Sequence, residues 1–138
     1  EFINNVANNK PLEPIGTFIP RQIQSKCSVF ICTHKKRDIR CGTIGPLLLE
    51  AFNRKIQDLN VFNDVNIYGA SHYSGHKFAG NCIIYHRNPT LNGIWYAKVT
   101  PKNVEDIITK TIINEKILHN LYRGRIDAPI NTKSFVNW

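Results

Sequence analysis

The chain has 138 residues, of which 42% are hydrophobic and 10% aromatic, a composition typical of one globular domain with its own core. No apolar run approaches the about 20 residues that a membrane-spanning helix needs, and no signal-peptide pattern opens the chain, so we expect no membrane association. The net charge of +8 suits an anionic partner. Nucleic acid is not expected, because the basic segment 33–40 has no aromatic residue among its charges.

The ends of the chain differ in composition from its middle. It begins Glu1-Phe2 and contains no methionine, so we interpret these two residues as a cloning scar on an excised part of a longer protein. Residues 1–22 are predicted to be this scar and an Asn- and Pro-rich linker. Residues 23–125 are predicted to form a single folded domain, and residues 126–138 a C-terminal tail.

The first half of the domain predicts a strand, a helix and a second strand. Residues 27–32 are a short apolar run with strand-forming side chains. Gly45-Pro46 predicts the start of a helix, with proline near its first position. Residues 64–69 alternate as a second strand does. The helix is predicted to bury an apolar stripe of Leu48, Leu49, Phe52, Ile56 and Leu59.

The second half predicts a β-hairpin followed by a helix. Residues 81–86 and 93–99 are strand-like and joined by a polar turn. Thr100-Pro101 predicts a helix N-terminus, with helical character resuming to about Leu121. The buried stripe of this helix is predicted to be Val104, Ile107, Ile108 and Ile112. A βαβ unit followed by a hairpin and a helix is the outline of an α/β, thioredoxin-like fold.

Four candidate ligands occur in two pairs. Cys32 and Cys41 form a C-x8-C pair after the first strand, and His72 and His76 form an H-x3-H pair after the second. Loops at the carboxyl ends of neighbouring strands meet at one end of a sheet, so we expect the pairs to converge. Two thiolates and two imidazoles are a complete set of ligands for a metal centre.

Several kinds of site use such residues. A two-disulfide scaffold is not favoured, because the cysteine density is low, and Cys27 and Cys82 fall in strands where free cysteine packs in the core. Zinc takes two cysteines and two histidines, but eight residues between the cysteines exceed the usual spacing. The C-x-x-C motif of thiol oxidoreductases is absent. A 2Fe-2S cluster, which needs two ligands on each iron, fits better; Gly42, Gly75 and Gly80 are expected to let the backbone approach its sulfides.

The combined motifs resemble one family. Cys-x-His-x-x-Arg-Asp-x-Arg-Cys-Gly, Ser-His-x-x-Gly-His-Lys-x-Ala-Gly-Asn and Trp-Tyr-x-x-Val-Thr-Pro are similar to those of the fungal and plant sucrase/ferredoxin-like proteins. These are thioredoxin-like ferredoxins whose 2Fe-2S cluster is bound by two cysteines and two histidines without being Rieske centres. The resemblance implies Cys32 and Cys41 on one iron, His72 and His76 on the other, and a chain that is the C-terminal domain.

The predicted function is therefore one-electron transfer without substrate turnover, at a raised and pH-dependent potential. His34, Asp38, Arg40, Gly75 and Lys77 are predicted to surround the ligands and tune the centre.

The expected partner is a redox protein with an acidic surface, such as a flavin reductase, docked on the basic Cys32–Cys41 segment. Trp138 resembles the C-terminal aromatic signal of cytosolic iron–sulfur proteins, although Val136-Asn137 depart from that signal, and a tail docked on the sheet edge is the alternative. We expect a cytosolic location, with a mitochondrial form as the alternative.

Overall fold

A computed structural model describes residues 13–19, 23–73 and 77–126. Their central feature is a five-stranded sheet of order β2-β1-β3-β4-β5, in which β1 and β2 are parallel and the other pairs are antiparallel. The strands are β1 (Cys27–Cys32), β2 (Val65–Ala70), β3 (Cys82–His86), β4 (Ile94–Tyr96) and β5 (Tyr122–Arg125). Helix α1 (Ile39–Asp58) joins β1 to β2. Segment α2 follows β4 and comprises a 3₁₀ turn (Pro101–Asn103), an α turn (Val104–Asp106) and a π-helix (Ile107–Ile113).

The core lies between the sheet and the two helices. Val29 and Ile31 of β1 and Ile84 of β3 are fully buried against side chains of α1 and α2. Both predicted helix stripes are confirmed: Leu48, Phe52 and Ile56 are buried with Leu49 and Leu59 packed beside them, and Val104, Ile107, Ile108 and Ile112 are buried. Burial of these side chains is the main force that holds the helices on the sheet.

Helix α1 begins seven residues earlier than the Gly45-Pro46 prediction. Asp38 is its N-cap, and the Asp38 carboxylate accepts a 2.9 Å hydrogen bond from the Arg40 N–H. Pro46 consequently lies inside the helix. A proline removes only one helical hydrogen bond, whereas the earlier start gains a cap and buries Cys41.

The predicted continuation of helix to about Leu121 is also wrong. Helical structure ends at Ile113, and Glu115 adopts a left-handed backbone conformation with φ of 57°. The chain then turns back, and the Leu118 N–H donates to the Tyr96 hydroxyl at 2.9 Å. This turn delivers β5, which the sequence did not predict, to the open edge of β4.

The face of the sheet away from the helices is aromatic. Phe30 stacks on Tyr68 with ring centroids 5.1 Å apart and meets Tyr85 edge-on at 5.6 Å. A cavity of about 970 Å³ lies over this face, and Tyr73 and Ile83 also line it. Within the described ranges, no helix is both long and apolar enough to cross a membrane.

Candidate metal centre

The cysteine pair lies where β1 ends and α1 begins. Cys32 is the last residue of β1, and Cys41 is the third residue of α1, so the predicted loop is a six-residue turn followed by helix. The turn is tight because two helix glycines face it. A Cβ on Gly42 would lie 2.3 Å from the Lys35 Cβ, and one on Gly45 would lie 2.5 Å from the Cys32 carbonyl oxygen. Close packing of α1 on the end of β1 therefore brings Cys41 to Cys32.

The segment between β2 and β3, the histidine segment, begins at the same end of the sheet. Thr33 follows Cys32, and its N–H and hydroxyl donate to the Ala70 carbonyl at 3.0 and 3.2 Å. His72 comes two residues after Ala70. The Cys32 Sγ and the His72 Nδ1 are 3.7 Å apart. The parallel pairing of β1 and β2 thus produces the expected convergence.

Three of the four predicted ligands form one compact group. The Sγ atoms of Cys32 and Cys41 and a ring nitrogen of His72 all lie within 4.8 Å of one another. Both cysteines are fully buried and His72 is half-buried. Among the described residues, these three are the one set of histidine, cysteine and carboxylate side chains close enough to hold a metal ion. His76 and Gly75 lie outside the described residues, so the full ligand set stays a prediction.

The compact group bears on whether the C-x8-C spacing disfavours zinc. With Zn–S near 2.3 Å and Zn–N near 2.0–2.1 Å, a tetrahedral zinc ion would separate sulfur and nitrogen by about 3.6 Å. The observed separation of the Cys32 Sγ and the His72 Nδ1 is 3.7 Å. Because Cys41 lies in the first turn of α1, it comes close to Cys32 despite the eight residues between them. The C-x8-C spacing therefore does not discriminate between zinc and a cluster.

The electrostatics of Cys41 depend on whether a metal is bound. Burial, followed by the neighbouring Cys32, raises the pKa of the Cys41 thiol to about 12 in the metal-free protein. A metal must displace this proton, since the thiolate is the ligand. Cys41 also lies in the first turn of a 20-residue helix, where the helix dipole favours negative charge. The site therefore suits a cation that converts the thiol to a thiolate.

Asp38 and Arg40 are hydrogen-bonded to each other in the first turn of α1, which also carries Cys41. The Arg40 Nη2 lies 2.9 Å from the Asp38 Oδ2, and the Arg40 Nη1 donates to the Lys77 carbonyl at 3.0 Å. Hydrogen bonds from Arg40 lower the pKa of the Asp38 carboxyl to about 2. Arg40 thus links the start of α1 to the chain after the histidine segment. His34 is exposed, and the tuning of the centre by His34, Asp38, Arg40 or Lys77 stays a prediction.

Gly42 and Gly80 allow close packing within the protein, and their approach to a cluster stays a prediction. Gly80 has φ of 72°, and a Cβ there would lie 2.3 Å from the Val99 carbonyl oxygen. The Val99 N–H donates to the Gly80 carbonyl at 3.0 Å. Gly80 therefore anchors the end of the histidine segment against the strand-like chain at Val99, and Gly42 packs against Lys35.

Tyr73 directly follows His72, and the sequence did not single it out, because no local signal distinguishes it from the other tyrosines. Its hydroxyl oxygen is buried and has no hydrogen-bond partner among the described residues. Burial is the main cause that raises the pKa of Tyr73, and negative charge on Cys82, Cys32 and Cys41 adds to it. A buried hydroxyl without a partner costs about 1–3 kcal/mol. A buried hydroxyl without a partner among the described residues fits a centre that carries hydrogen-bond acceptors, as metal-bound sulfur does.

The remaining cysteines and His86 are structural. Cys27 and Cys82 are free, buried and packed in the core, and burial raises the pKa of Cys27 to about 12. The His86 Nε2 lies 3.1 Å from the Ile112 carbonyl, and its Nδ1 accepts from the Asn88 N–H at 2.9 Å. These contacts hold β3 against the end of α2. The prediction that Cys27 and Cys82 pack in the core is confirmed.

Comparison with known proteins agrees with this geometry. A family described as sucrase/ferredoxin-like matches residues 1–124. The protein named Altered inheritance of mitochondria protein 32 in Debaryomyces hansenii is 38% identical over 98 residues, which are 71% of this chain and 35% of that protein. Its namesake in Clavispora lusitaniae is 42% identical over 99 residues, covering 70% and 34%. Actin patches distal protein 1 of Saccharomyces cerevisiae is 39% identical over 101 residues, covering 67% and 32%.

The chain spans about a third of the length of these curated relatives. Among solved structures, a thioredoxin-like 2Fe-2S ferredoxin from Aquifex aeolicus matches with a TM-score of 0.63 and 21% identity, covering 76% of this chain and 96% of that one. A second structure of the wild-type Aquifex ferredoxin gives a TM-score of 0.61 at 20% identity, covering 73% and 99%. The predicted thioredoxin-like fold is confirmed.

Proposed function

The chain belongs to the sucrase/ferredoxin-like family, and on that basis we propose that it is an electron-transfer domain with a 2Fe-2S cluster bound by Cys32, Cys41, His72 and His76. The observation that carries the proposal is the convergence of Cys32, Cys41 and His72 at one end of a ferredoxin-like sheet. The domain is proposed as an electron carrier and not as an enzyme. When bound, the cluster supplies one-electron redox chemistry.

The ligand set predicts a raised potential. Two thiolates on an oxidised cluster give zero net charge, whereas four thiolates give two negative charges. Adding an electron to the less negative centre is easier. When two histidines replace two cysteines on one iron in Rieske proteins, the potential rises from about −400 mV to a window of about −150 to +300 mV. We expect the reduction potential of this chain to lie above the potentials of plant-type ferredoxins.

Protons are expected to accompany the electron. An imidazole that binds iron through one nitrogen keeps a proton on the other, and reduction makes that proton harder to lose. His72 is half-buried and therefore keeps some contact with solvent. The potential should therefore fall as the pH rises through the range in which the oxidised form loses this proton.

The surface near the centre suits an acidic electron donor. Lys35, Lys36 and Arg37 are exposed on the turn that joins Cys32 to α1. On the other side of the histidine segment, Lys98 and Arg123 lie over the Phe78 ring at 4.1 and 4.7 Å from its centroid. Basic side chains therefore lie on the turn between the two cysteines and against Phe78, which follows the histidines in sequence. A flavin reductase with an acidic surface is the proposed donor, and its electrostatic attraction would speed docking.

A zinc-stabilised interaction module is the second candidate, because one specific distance favours it. The 3.7 Å between the Cys32 Sγ and the His72 Nδ1 matches a single tetrahedral ion. The cluster proposal assigns these two residues to different irons, so the pair must separate when the cluster binds. A thiol oxidoreductase is disfavoured, since a Cys41 pKa of about 12 opposes formation of a nucleophilic thiolate.

Replacement of the histidines tests the ligand set. We expect the double variant His72→Cys with His76→Cys to keep the cluster, at a lowered potential that no longer depends on pH. His119→Cys is the matched control, because His119 is exposed in the turn before β5 and should leave the potential unchanged. A potential of the double variant that still varies with pH would show that these histidines are not the source of proton coupling.

Location and assembly remain proposals. We propose a cytosolic protein, with a mitochondrial form as the alternative. The name of several relatives refers to the inheritance of mitochondria and does not state their compartment. Trp138 lies outside the described residues. Recognition of Trp138 by the cytosolic iron–sulfur assembly machinery would be lost in a Trp138→Ala variant, which would then contain less iron when isolated from cells.

A further inference from the structure

We propose that the phenol of Tyr73 donates a hydrogen bond to a sulfur atom of the bound centre and thereby raises its reduction potential. The sulfur is either a cysteine ligand or a sulfide of the cluster, and the inference rests on the function proposed above. Tyr73 would be a positioning and tuning residue, not a ligand. No atom is transferred: the centre gains one electron on reduction, and the phenol keeps its proton.

The state of the Tyr73 hydroxyl is the first reason for this assignment. The Tyr73 oxygen is buried, and no described residue forms a hydrogen bond with it. Other buried hydroxyls of the same fold have partners, as the Tyr96 hydroxyl does with Thr111 at 2.8 Å and with the Leu118 N–H at 2.9 Å. Buried polar groups are nearly always bonded, so this donor indicates an acceptor that the described residues do not supply.

The packing of the Tyr73 ring is the second reason. Tyr73 directly follows His72, and its ring meets the Trp95 ring edge-on, with centroids 5.9 Å apart and planes at 82°. Trp95 is itself fixed, because its Nε1–H donates to the Asn81 Oδ1 at 3.2 Å. Asn81 is fully buried and also bonds to the Phe78 carbonyl. Packing therefore fixes the ring of Tyr73, the residue that directly follows the candidate ligand His72.

The cysteines that influence the phenol are the third reason. Burial is the main cause that raises the pKa of Tyr73, and Cys82, Cys32, Tyr85 and Cys41 add to that rise. Cys82 is fully buried, and burial raises its pKa; as a neutral thiol it is a poor acceptor. Metal binding makes Cys32 and Cys41 anionic. The acceptors that appear near the phenol when the centre forms are therefore metal-bound sulfur atoms.

The direction of the effect follows from charge. Sulfur in the reduced centre carries more negative charge than in the oxidised centre, so a donated hydrogen bond stabilises the reduced form more strongly. Removal of this hydrogen bond should lower the equilibrium constant for reduction by about tenfold, which corresponds to about 59 mV for a one-electron couple. The midpoint potential would move to more negative values.

Tyr73→Phe tests the proposal, because phenylalanine keeps the ring and removes the hydroxyl. Tyr68→Phe is the matched control: Tyr68 lines the same cavity, but its side chain is 45% exposed and its ring stacks on Phe30. We expect a lowered potential for Tyr73→Phe at unchanged iron and sulfide content, and no shift for Tyr68→Phe. A Tyr73→Phe potential equal to that of the unmodified chain, as a water-bonded phenol would give, overturns the inference.

A second measurement covers the case in which Tyr73→Phe binds less cluster. Incorporation of 3-fluorotyrosine at position 73 preserves the shape and makes the phenol a stronger donor, so the potential should rise. An unchanged or lowered potential overturns the inference. The two levels of failure are distinct: an unmodified chain without iron and sulfide refutes the proposed function, whereas an intact cluster that does not respond at Tyr73 refutes this inference alone.

Discussion

Gly45→Ala is the change that most sharply tests how the fold builds the site. A Cβ at Gly45 would lie 2.5 Å from the Cys32 carbonyl oxygen and 2.9 Å from the Thr33 Cγ2. The carbonyl cannot retreat easily, because the N–H groups on both sides are bonded: Cys32 to the Asn81 carbonyl at 3.1 Å and Thr33 to the Ala70 carbonyl at 3.0 Å. Ordinary contact begins at 3.4 Å, so α1 must move away by about 0.9 Å.

Two opposing effects decide the stability of this variant. Alanine in a helix is favoured over glycine by about 0.5–1 kcal/mol, and overpacking costs about 1–3 kcal/mol. We therefore expect Gly45→Ala to lower the free energy of unfolding by roughly 1–2 kcal/mol. The displaced helix also carries Cys41 away from Cys32, so the iron and sulfide bound per chain should fall.

Urea unfolding of the metal-free protein and analysis of iron and acid-labile sulfide measure the two effects. Gly69→Ala is the matched control, because a Cβ there would meet the Thr33 Oγ1 at 3.3 Å and the Leu49 Cδ1 at 3.4 Å, both ends of side chains. It should keep the full content of iron and sulfide. If Gly45→Ala were as stable as the unmodified chain and equally loaded, close packing of α1 on β1 would not be what places Cys41.

Three further predictions concern stability and docking. Asp38→Ala should lower the free energy of unfolding by about 1 kcal/mol through loss of the N-cap. Hydrogen bonds from Arg40 hold the pKa of Asp38 at about 2. Urea titrations should therefore show the full difference above about pH 4 and lose it as the pH falls toward 2. Tyr96→Phe removes two buried hydrogen bonds of 2.8 and 2.9 Å and should cost about 1–3 kcal/mol in the same assay; an unchanged midpoint would contradict it. Replacement of Lys35 and Lys36 by glutamine should slow reduction by an acidic donor at low salt and flatten its salt dependence in stopped-flow measurements; equal salt slopes would count against docking at this turn.

The sequence predicted the strands well because their signals are local. Residues 27–32 are apolar over the whole length of β1, and the prediction matches its bounds. The site could be anticipated for a related reason, since the ends of two parallel strands must meet at one edge of the sheet. Cys32 and His72 are brought together by this pairing.

Other features depend on contacts that a local pattern does not contain. The start of α1 was missed because residues 38–44 lack a clear apolar stripe, and the helix there is fixed by the Asp38 cap and by burial of Cys41. Strand β5 has the sequence Tyr-Arg-Gly-Arg, which has little strand propensity, and it forms because β4 offers an open edge. The orientation of the Tyr73 ring depends on its packing against Trp95, which is distant in sequence.

Pulsed electron–nuclear double resonance of the reduced protein, prepared with ¹⁵N-labelled histidine, tests the central claim most directly. It reports which nitrogen nuclei are bonded to a paramagnetic centre, and a 2Fe-2S cluster is paramagnetic after one-electron reduction. We predict strong coupling to two histidine nitrogens, one of which disappears in His72→Cys. A colourless protein with one zinc ion per chain and no signal, or a cluster signal without histidine nitrogen coupling, would contradict the account.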